Sequence, residues 1–379
     1  MSIQSLKNKR IMLIGGAGFI GHNLALHLKS LDAEVSVVDS LAVNNFATFA
    51  SHEKGRGNSQ LYLDIIHERL NFLRKHDIPL YIQDVRDYHA LNKLFTETNP
   101  QIVVQLAAVS HANKSNKDPY STFDHSLRTL ENALDVSRGK VEHFVYFSSS
   151  MVYGHFNESI VTEEAICEPL GIYGALKYSG EKLVIAYNQV FDLPYTIVRP
   201  SALYGERCVS RRVGQIFIEN ALTGKDITLN GDGLDCLDFT YIEDLVHGIQ
   251  NTIENDNAKN QIFNLTYGEG RSLADMAAIM KNEFPSIKIN YQPKDKLTPN
   301  RGTLSVEKAK HMIGYSPEFS LEKGYLKYIN WYRKFYNLSV GISTVEKENT
   351  TINSNFVFPP IRSCFGGLKD KELLITSKN

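Results

Sequence analysis

Cysteine is scarce in this chain of 379 residues. Its four thiols, Cys167, Cys208, Cys236 and Cys364, show no CxxC pair and no zinc-type spacing. A disulfide-stapled fold is thereby excluded, no metal site is expected, and a reducing compartment fits. An excess of either charge is missing as well. Lys and Arg number 41 against 42 Asp and Glu, a net charge of −1. That balance offers no electrostatic footprint for nucleic acid or an anionic membrane. Nowhere is there a run of about 18 apolar residues, the length a membrane helix needs. The opening MSIQSLKNKR has no apolar stretch of the secretory kind. A cytoplasmic protein without a membrane partner is expected. Internal repeats and low-complexity tracts are absent too.

What is present is a chain with 42% hydrophobic residues, enough for one large or two ordinary domains. Its organising stretch is IMLIGGAGFIG at 11–21. Ile11 to Ile14 is a short apolar run bounded by glycine, the pattern of a buried parallel strand. Gly15, Gly18 and Gly21 follow at spacings of three, and NLALHLKSL then reads as a helix. Strand, glycine turn and helix place backbone N–H groups and a helix N-terminus against a pyrophosphate. A second strand, EVSVVD, ends at Asp39. An acid there accepts hydrogen bonds from an adenosine ribose and repels a 2′-phosphate, which favours NAD over NADP; a turn or cap acid is the plain alternative.

Further along, LYLDIIHERLNFLRKH has helical spacing through Leu63, Ile66, Leu70 and Leu73. PLYIQDV reads as a third strand ending at Asp84 and Val85, and HALNKLFTET as a helix. IVVQLAAVSH reads as a fourth strand, with Ala107 and Ala108 small enough for a flat cofactor to lie close. A helix over roughly 120–137 and a fifth strand, HFVYFSSSMVYG, follow. This alternation predicts a doubly wound parallel sheet of Rossmann type, with ligands at the carboxyl ends of its strands.

Tyr173 and Lys177 stand four apart in a helix-like stretch, GIYGALKYSGEKLV, and so share one face. An ammonium beside a phenol stabilises the phenolate and suits it to general-base work. Ser149, at the end of the fifth strand, can hydrogen-bond a reacting hydroxyl. The spacing alone is a poor signal in a chain with 19 tyrosines; its place after a dinucleotide fingerprint and a strand-end serine gives it weight.

Together, GGAGFIG, LAA at 106–108, SSSMVYG, YGALK, RPSALYG, DFTYIEDL and the late Arg301…KA…GYSP pattern resemble the extended short-chain dehydrogenase/reductase family. These are the NAD-dependent nucleotide-sugar epimerases and dehydratases, and the resemblance covers about 8–336. It implies an NAD-binding domain over 1–198 and a smaller mixed α/β domain over 199–339, mainly for substrate, with some segments returning to the first. Residues 340–379 have no counterpart and are expected to wrap a partner subunit or to lack order. By the same resemblance Tyr173 is the base, Lys177 holds the nicotinamide ribose and Ser149 is the hydroxyl partner. Gly15, Gly18, Phe19, Ile20, Gly21, Asp39, Asp84, Val85, Leu106, Ala107 and Ala108 would line the NAD site, together with Tyr173 and Lys177. A homodimer through the helices near 120–137 and 173–189 is also implied.

Dehydratases of the family carry an Asp-Glu pair after the strand-end Ser or Thr, and uronic acid decarboxylases usually carry a glutamate there. Here Ser150 and Met151 stand instead, and neither does that acid–base work. A 4-epimerase is inferred, with a 4-keto sugar formed and reduced again. A keto-sugar reductase, a dehydratase with an altered acid and a non-catalytic NAD-binding scaffold are the alternatives. On the substrate side, Ala202 and Leu237 replace an asparagine and an arginine that usually meet the diphosphate. Ser150, Arg207, Arg211 and Arg301 are the candidates to bind the nucleotide sugar, with Arg212 beside them; arginine grips phosphate bidentately. The pair Arg211–Arg212 would also suit a sugar carboxylate. Cys208 reads as a partly buried thiol rather than an acid, His125 as a buried, satisfied histidine, and Trp331 as core.

Overall fold

A computed structural model describes residues 5–42, 46, 49, 58–109, 112–293 and 299–345. Seven parallel strands form the main sheet: β1 (Arg10–Ile14), β2 (Glu34–Asp39), β3 (Leu80–Ile82), β4 (Ile102–Gln105), β5 (His143–Phe147), β6 (Tyr195–Arg199) and β7 (Gln261–Asn264). Their order across the sheet is β7-β6-β5-β4-β1-β2-β3. The order reverses beside β1, which leaves a crevice at the carboxyl ends of β1 and β4. Register brings the loops together: Ile14 pairs with Val38 and with Gln105, and Phe147 with Val198. The glycine turn, Asp39, Leu106 and the serine run therefore leave the sheet along one edge. The central strands are apolar without alternation, and Leu13, Val37, Val104, Val145 and Ile197 are wholly buried, as strands covered on both faces require.

The main helices are α1 (Phe19–Ser30), α2 (Ser59–Lys75), α3 (Tyr88–Thr98), α4 (Thr129–Ser137), α5 (Gly171–Phe191), α6 (Val213–Leu222), α7 (Ile242–Glu254) and α8 (Leu321–Val345). The buried face of α2 is Leu61, Tyr62, Ile65, Ile66, Arg69 and Leu73. Leu63 and Leu70, expected on that face, flank it half-buried. Three strands are shorter than expected. β3 stops at Ile82 because the Asp84 carboxylate accepts from the Arg86 N–H at 2.9 Å and turns the chain. β4 stops at Gln105 because the N–H groups of Leu106 and Ala107 both converge on the Ile14 carbonyl. β5 stops at Phe147; the Ser149 hydroxyl then accepts from the Met151 N–H at 3.2 Å and starts a tight turn over Ser150–Tyr153. The helix expected over 120–137 comprises Pro119–Phe123, a wide π turn at Asp124–Arg128 and α4.

Residues beyond 199 divide their work. β7 extends the main sheet beside β6, and α7 packs on α1 through a 2.6 Å bond between His27 and Gln250. The other segments build smaller sheets, Ile227–Asn230 with Ile289–Gln292 and Cys236–Asp238 with Gly270–Ser272. Trp331 of α8 stacks on Phe335 at 4.9 Å between ring centroids, and both pack half-buried against the edge of the core. The tail at 346–379 and most of the connection at 43–57 lie outside the described residues, as do Ser110 and His111. Among the described residues no helix is long and apolar enough to cross a membrane.

Candidate active site

A groove of about 610 Å³ runs along the carboxyl edge of the sheet. Gly15, Gly18, Phe19, Ile20 and Gly21 line it, with Asp39, Asp84, Val85, Leu106, Ala107 and Ala108. Gly15 has φ +81°, and a β-carbon there would lie 2.6 Å from the Ala107 nitrogen. Only glycine brings the turn that close to β4. At Gly18 the extended backbone starts α1, whose first-turn N–H groups lack helical partners and face the groove as anion donors.

At the far end, Asp39 is 9% exposed. Its carboxylate accepts from the Ala17 N–H at 3.0 Å and the Leu41 N–H at 2.7 Å, while burial raises its pKa. A 2′-phosphate would meet that carboxylate. Asp84 lines the groove, yet Arg86 grips its carboxylate at 2.6 Å and lowers its pKa. The lining of the groove, its glycine cradle, helix N-terminus and ribose acid fit NAD.

His125 departs from expectation. The π turn presents it half-buried to the groove beside Asp84 rather than sealing it in the core, and partial burial lowers its pKa. Arg69 also lines the groove. It is wholly buried, and its Nε donates to the Arg207 carbonyl at 2.8 Å. Nothing in the helical pattern of α2 marks Arg69 out.

A second cavity of about 390 Å³ shares Ile20, Leu106, Ala108, Arg211 and Arg212 with the groove. Ser149, Ser150, Met151, Tyr173 and Lys177 line it, as do Leu237 and Arg301. Tyr173 and Lys177 come from one face of α5, one turn apart. Lys177 is buried; its Nζ donates to the Phe147 carbonyl at 2.5 Å and lies 5.2 Å from the Tyr146 ring centroid. Burial pulls its pKa down to about 8, against the opposing pull of Glu181. Glu181 stands a further turn along α5. It accepts from Arg199 at 2.7 and 2.9 Å and from the Ser148 hydroxyl. Sequence reasoning missed it; the spacing of eight from Tyr173 was the available signal.

Arg301 is buried. Its Nη2 donates to the Ser150 hydroxyl and, at 2.8 Å, to the Ser201 hydroxyl. Burial, then the neighbouring charge of Arg212, lowers its pKa to about 10. Asp238, wholly buried, accepts from Thr266, Tyr267, Gly268 and Leu304, so the strand following Arg301 is fixed in place. Arg207 does not join these groups. Its Nε donates to His22 Nε2 at 3.0 Å and its Nη2 to Asn23 at 3.1 Å, so its guanidinium lies on α1, away from the substrate cavity. Cys208 is buried against Ser210, at 2.9 Å, and does not line the cavity. Among the described residues no cluster of His, Cys, Asp and Glu could hold a metal ion.

The profile of the NAD dependent epimerase/dehydratase family matches residues 11–266. A putative UDP-glucose 4-epimerase of Methanocaldococcus jannaschii is 28% identical over 328 residues, covering 85% of this chain and 97% of the relative. Among solved structures, a UDP-glucose 4-epimerase of Thermotoga maritima with UDP-glucose is similar at 26% identity and a TM-score of 0.73. A UDP-glucuronic acid 4-epimerase of Bacillus cereus, with UDP-glucuronic acid and NAD, is similar at 25% identity and a TM-score of 0.75. Each match covers 86% of this chain and 99% of the other.

Proposed function

The chain belongs to the NAD dependent epimerase/dehydratase family, and from that premise we propose that it is a nucleotide-sugar 4-epimerase working through a transient 4-keto sugar. NAD is its cofactor. The observation that carries the reading is the second cavity. Ser149, Tyr173 and Lys177 line it together, it opens on the dinucleotide groove, and Ser150 and Met151 occupy the places after Ser149. No carboxylate stands there to expel a hydroxyl from the sugar.

NAD, when bound, supplies reversible hydride exchange with the sugar C4. The protein moves the proton. Tyr173 as phenolate takes it from the C4 hydroxyl and later returns it to the C4 oxygen, after the ketone has presented its other face. The Lys177 ammonium stabilises the phenolate; one donor is spent on the Phe147 carbonyl, and the rest are free for the nicotinamide ribose. Ser149 uses a lone pair on the Met151 N–H, which leaves its O–H to donate to the C4 oxygen. Arg211 and Arg212, which line both cavities, stand in for the missing diphosphate contacts at Ala202 and Leu237.

A homodimer is part of the proposal. Tyr120 and Phe123 are exposed on the helical segment beside α5, as an association face through these helices requires.

Incubation of the purified chain and NAD with UDP-, GDP-, dTDP- and CDP-sugars, products resolved by NMR, tests the activity. An isomer of unchanged mass is expected. A 6-deoxy-4-keto product would make the chain a dehydratase; stable consumption of NADH by a keto sugar would make it a reductase. Bound NAD without turnover of any sugar would make it a scaffold.

A further inference from the structure

Resting on that reading, we propose that the sugar is acidic: the substrate is a nucleotide-diphosphate uronic acid, whose carboxylate on C5 is held by Arg301 and Ser150. The argument starts from charge. A diphosphate accounts for two negative charges. The described residues lining the cavity include Arg211, Arg212, Arg301 and Lys177, and none of them is acidic. Among the described residues, the hydrogen-bond acceptors of Arg301 are two neutral hydroxyls. The charge of Asp238 reaches it, but the Asp238 oxygens are taken by Thr266 and three backbone N–H groups. Arg212 is near enough to repel it, and the Arg212 Nε is buried without a hydrogen-bond partner among the described residues. Two neighbouring guanidiniums so placed are costly until an anion joins them.

Position then says which anion. Ser150 follows Ser149 in the chain, and Arg301 lies close enough to Tyr173 for their charges to interact. This cation therefore sits beside the reacting carbon. In a pyranose, C4 lies across the ring from C1, which bears the diphosphate, whereas C5 is the neighbour of C4. An anion that meets Arg301 at the Tyr173 end is carried by C5. Arg211 and Arg212, which also line the dinucleotide groove, remain for the diphosphate. A carboxylate presents two oxygens in the plane that a guanidinium fork matches, and the thioether of Met151 puts no negative charge opposite it.

Calorimetric titration of the NAD-loaded full chain carrying Tyr173→Phe, which stops turnover, tests this. UDP-glucuronate is compared with UDP-glucose, dTDP-glucuronate with dTDP-glucose and GDP-mannuronate with GDP-mannose, with the nucleoside diphosphates as references. On the preferred nucleotide the uronate is expected to bind about tenfold tighter than the neutral sugar. Adding Arg301→Met should bring the two within about threefold while the nucleoside diphosphate binds as before. Equal affinity within the pair, tighter binding of the neutral sugar, or no binding of any uronate overturns the proposal. Equal weakening of nucleoside diphosphate and uronate by Arg301→Met also overturns it, since Arg301 then serves the diphosphate. Should that variant not fold, the comparison without it decides. A uronate preference with no turnover by the unsubstituted chain sinks the epimerase reading alone; epimerisation of a neutral sugar without preference sinks this one alone.

Discussion

The Arg207 Nε donates to Nε2 of His22 at 3.0 Å, across a sequence separation of 185 residues. His22 sits in the first turns of α1 and gives its own Nδ1–H to the Gly18 carbonyl at 2.9 Å. Burial, with the charges of Arg69 and Arg207, holds its pKa well below the usual range, so the neutral ring accepts. The arc of chain that carries Arg211 and Arg212 is thus tied to the glycine turn.

Replacing Arg207 by Met should remove this tie. A charged hydrogen bond contributes about 1.5–3 kcal/mol, and chemical denaturation should register a loss of that order. The KM for the nucleotide sugar should rise more than kcat falls, because Arg211 and Arg212 lose their support. Unchanged stability with a lost substrate site would mean that Arg207 touches the substrate itself.

Alkaline pH should switch the site off. Lys177 has a pKa of about 8 in the folded chain and about 10.4 when unfolded. The ammonium that supports Tyr173 is lost as pH rises through about 8, so kcat/KM should bend downward there. Glu181 opposes the effect of burial, and Glu181→Gln should move that bend to lower pH. The variant leaves Arg199 buried without its carboxylate, at a cost of about 3–5 kcal/mol, so the profile belongs well below its melting temperature. A bend that stays in place excludes Glu181 from holding the Lys177 proton. For stability the sign is opposite: the native state binds fewer protons than the unfolded one between these two pKa values, so this group's contribution rises with pH across that window.

Tyr173→Phe should lower turnover by about 10²–10⁴-fold, the range for a lost general acid–base. NAD titration of the variant should match that of the parent, because the phenol belongs to the second cavity. An active variant would place the base elsewhere.

Gly15→Ala should abolish NAD binding. Its β-carbon meets the Ala107 nitrogen at 2.6 Å, at φ +81°, and the left-handed conformation adds about 1–2 kcal/mol of strain. Fluorescence titration would show retained affinity if the turn could relax away from β4.

Much of this site was legible in the chain because local pattern fixes it. The strand, glycine turn and helix, the strand ending at Asp39, and the Tyr173–Lys177 spacing each depend on neighbours a few residues apart. The arginines were not legible in the same way. Arg207 and Arg211 belong to one short run, yet one guanidinium lies on α1 and the other lines the cavity. The run carries positive φ at Arg207 and Arg211, and such turns re-aim side chains in ways that residue type does not disclose. His125 was misread because the π turn that rotates it toward the groove has no sequence signature. Arg69 gave no sign because a wholly buried cation on an amphipathic helix looks like a surface residue until its acceptor, the Arg207 carbonyl, is known.

Arg211 and Arg212 line both the dinucleotide groove and the sugar cavity. Each occupant therefore screens part of the positive field that the other feels, and the two loading equilibria are coupled. By reciprocity, whatever factor the dinucleotide imposes on the affinity for the glycosyl nucleotide is returned in equal measure.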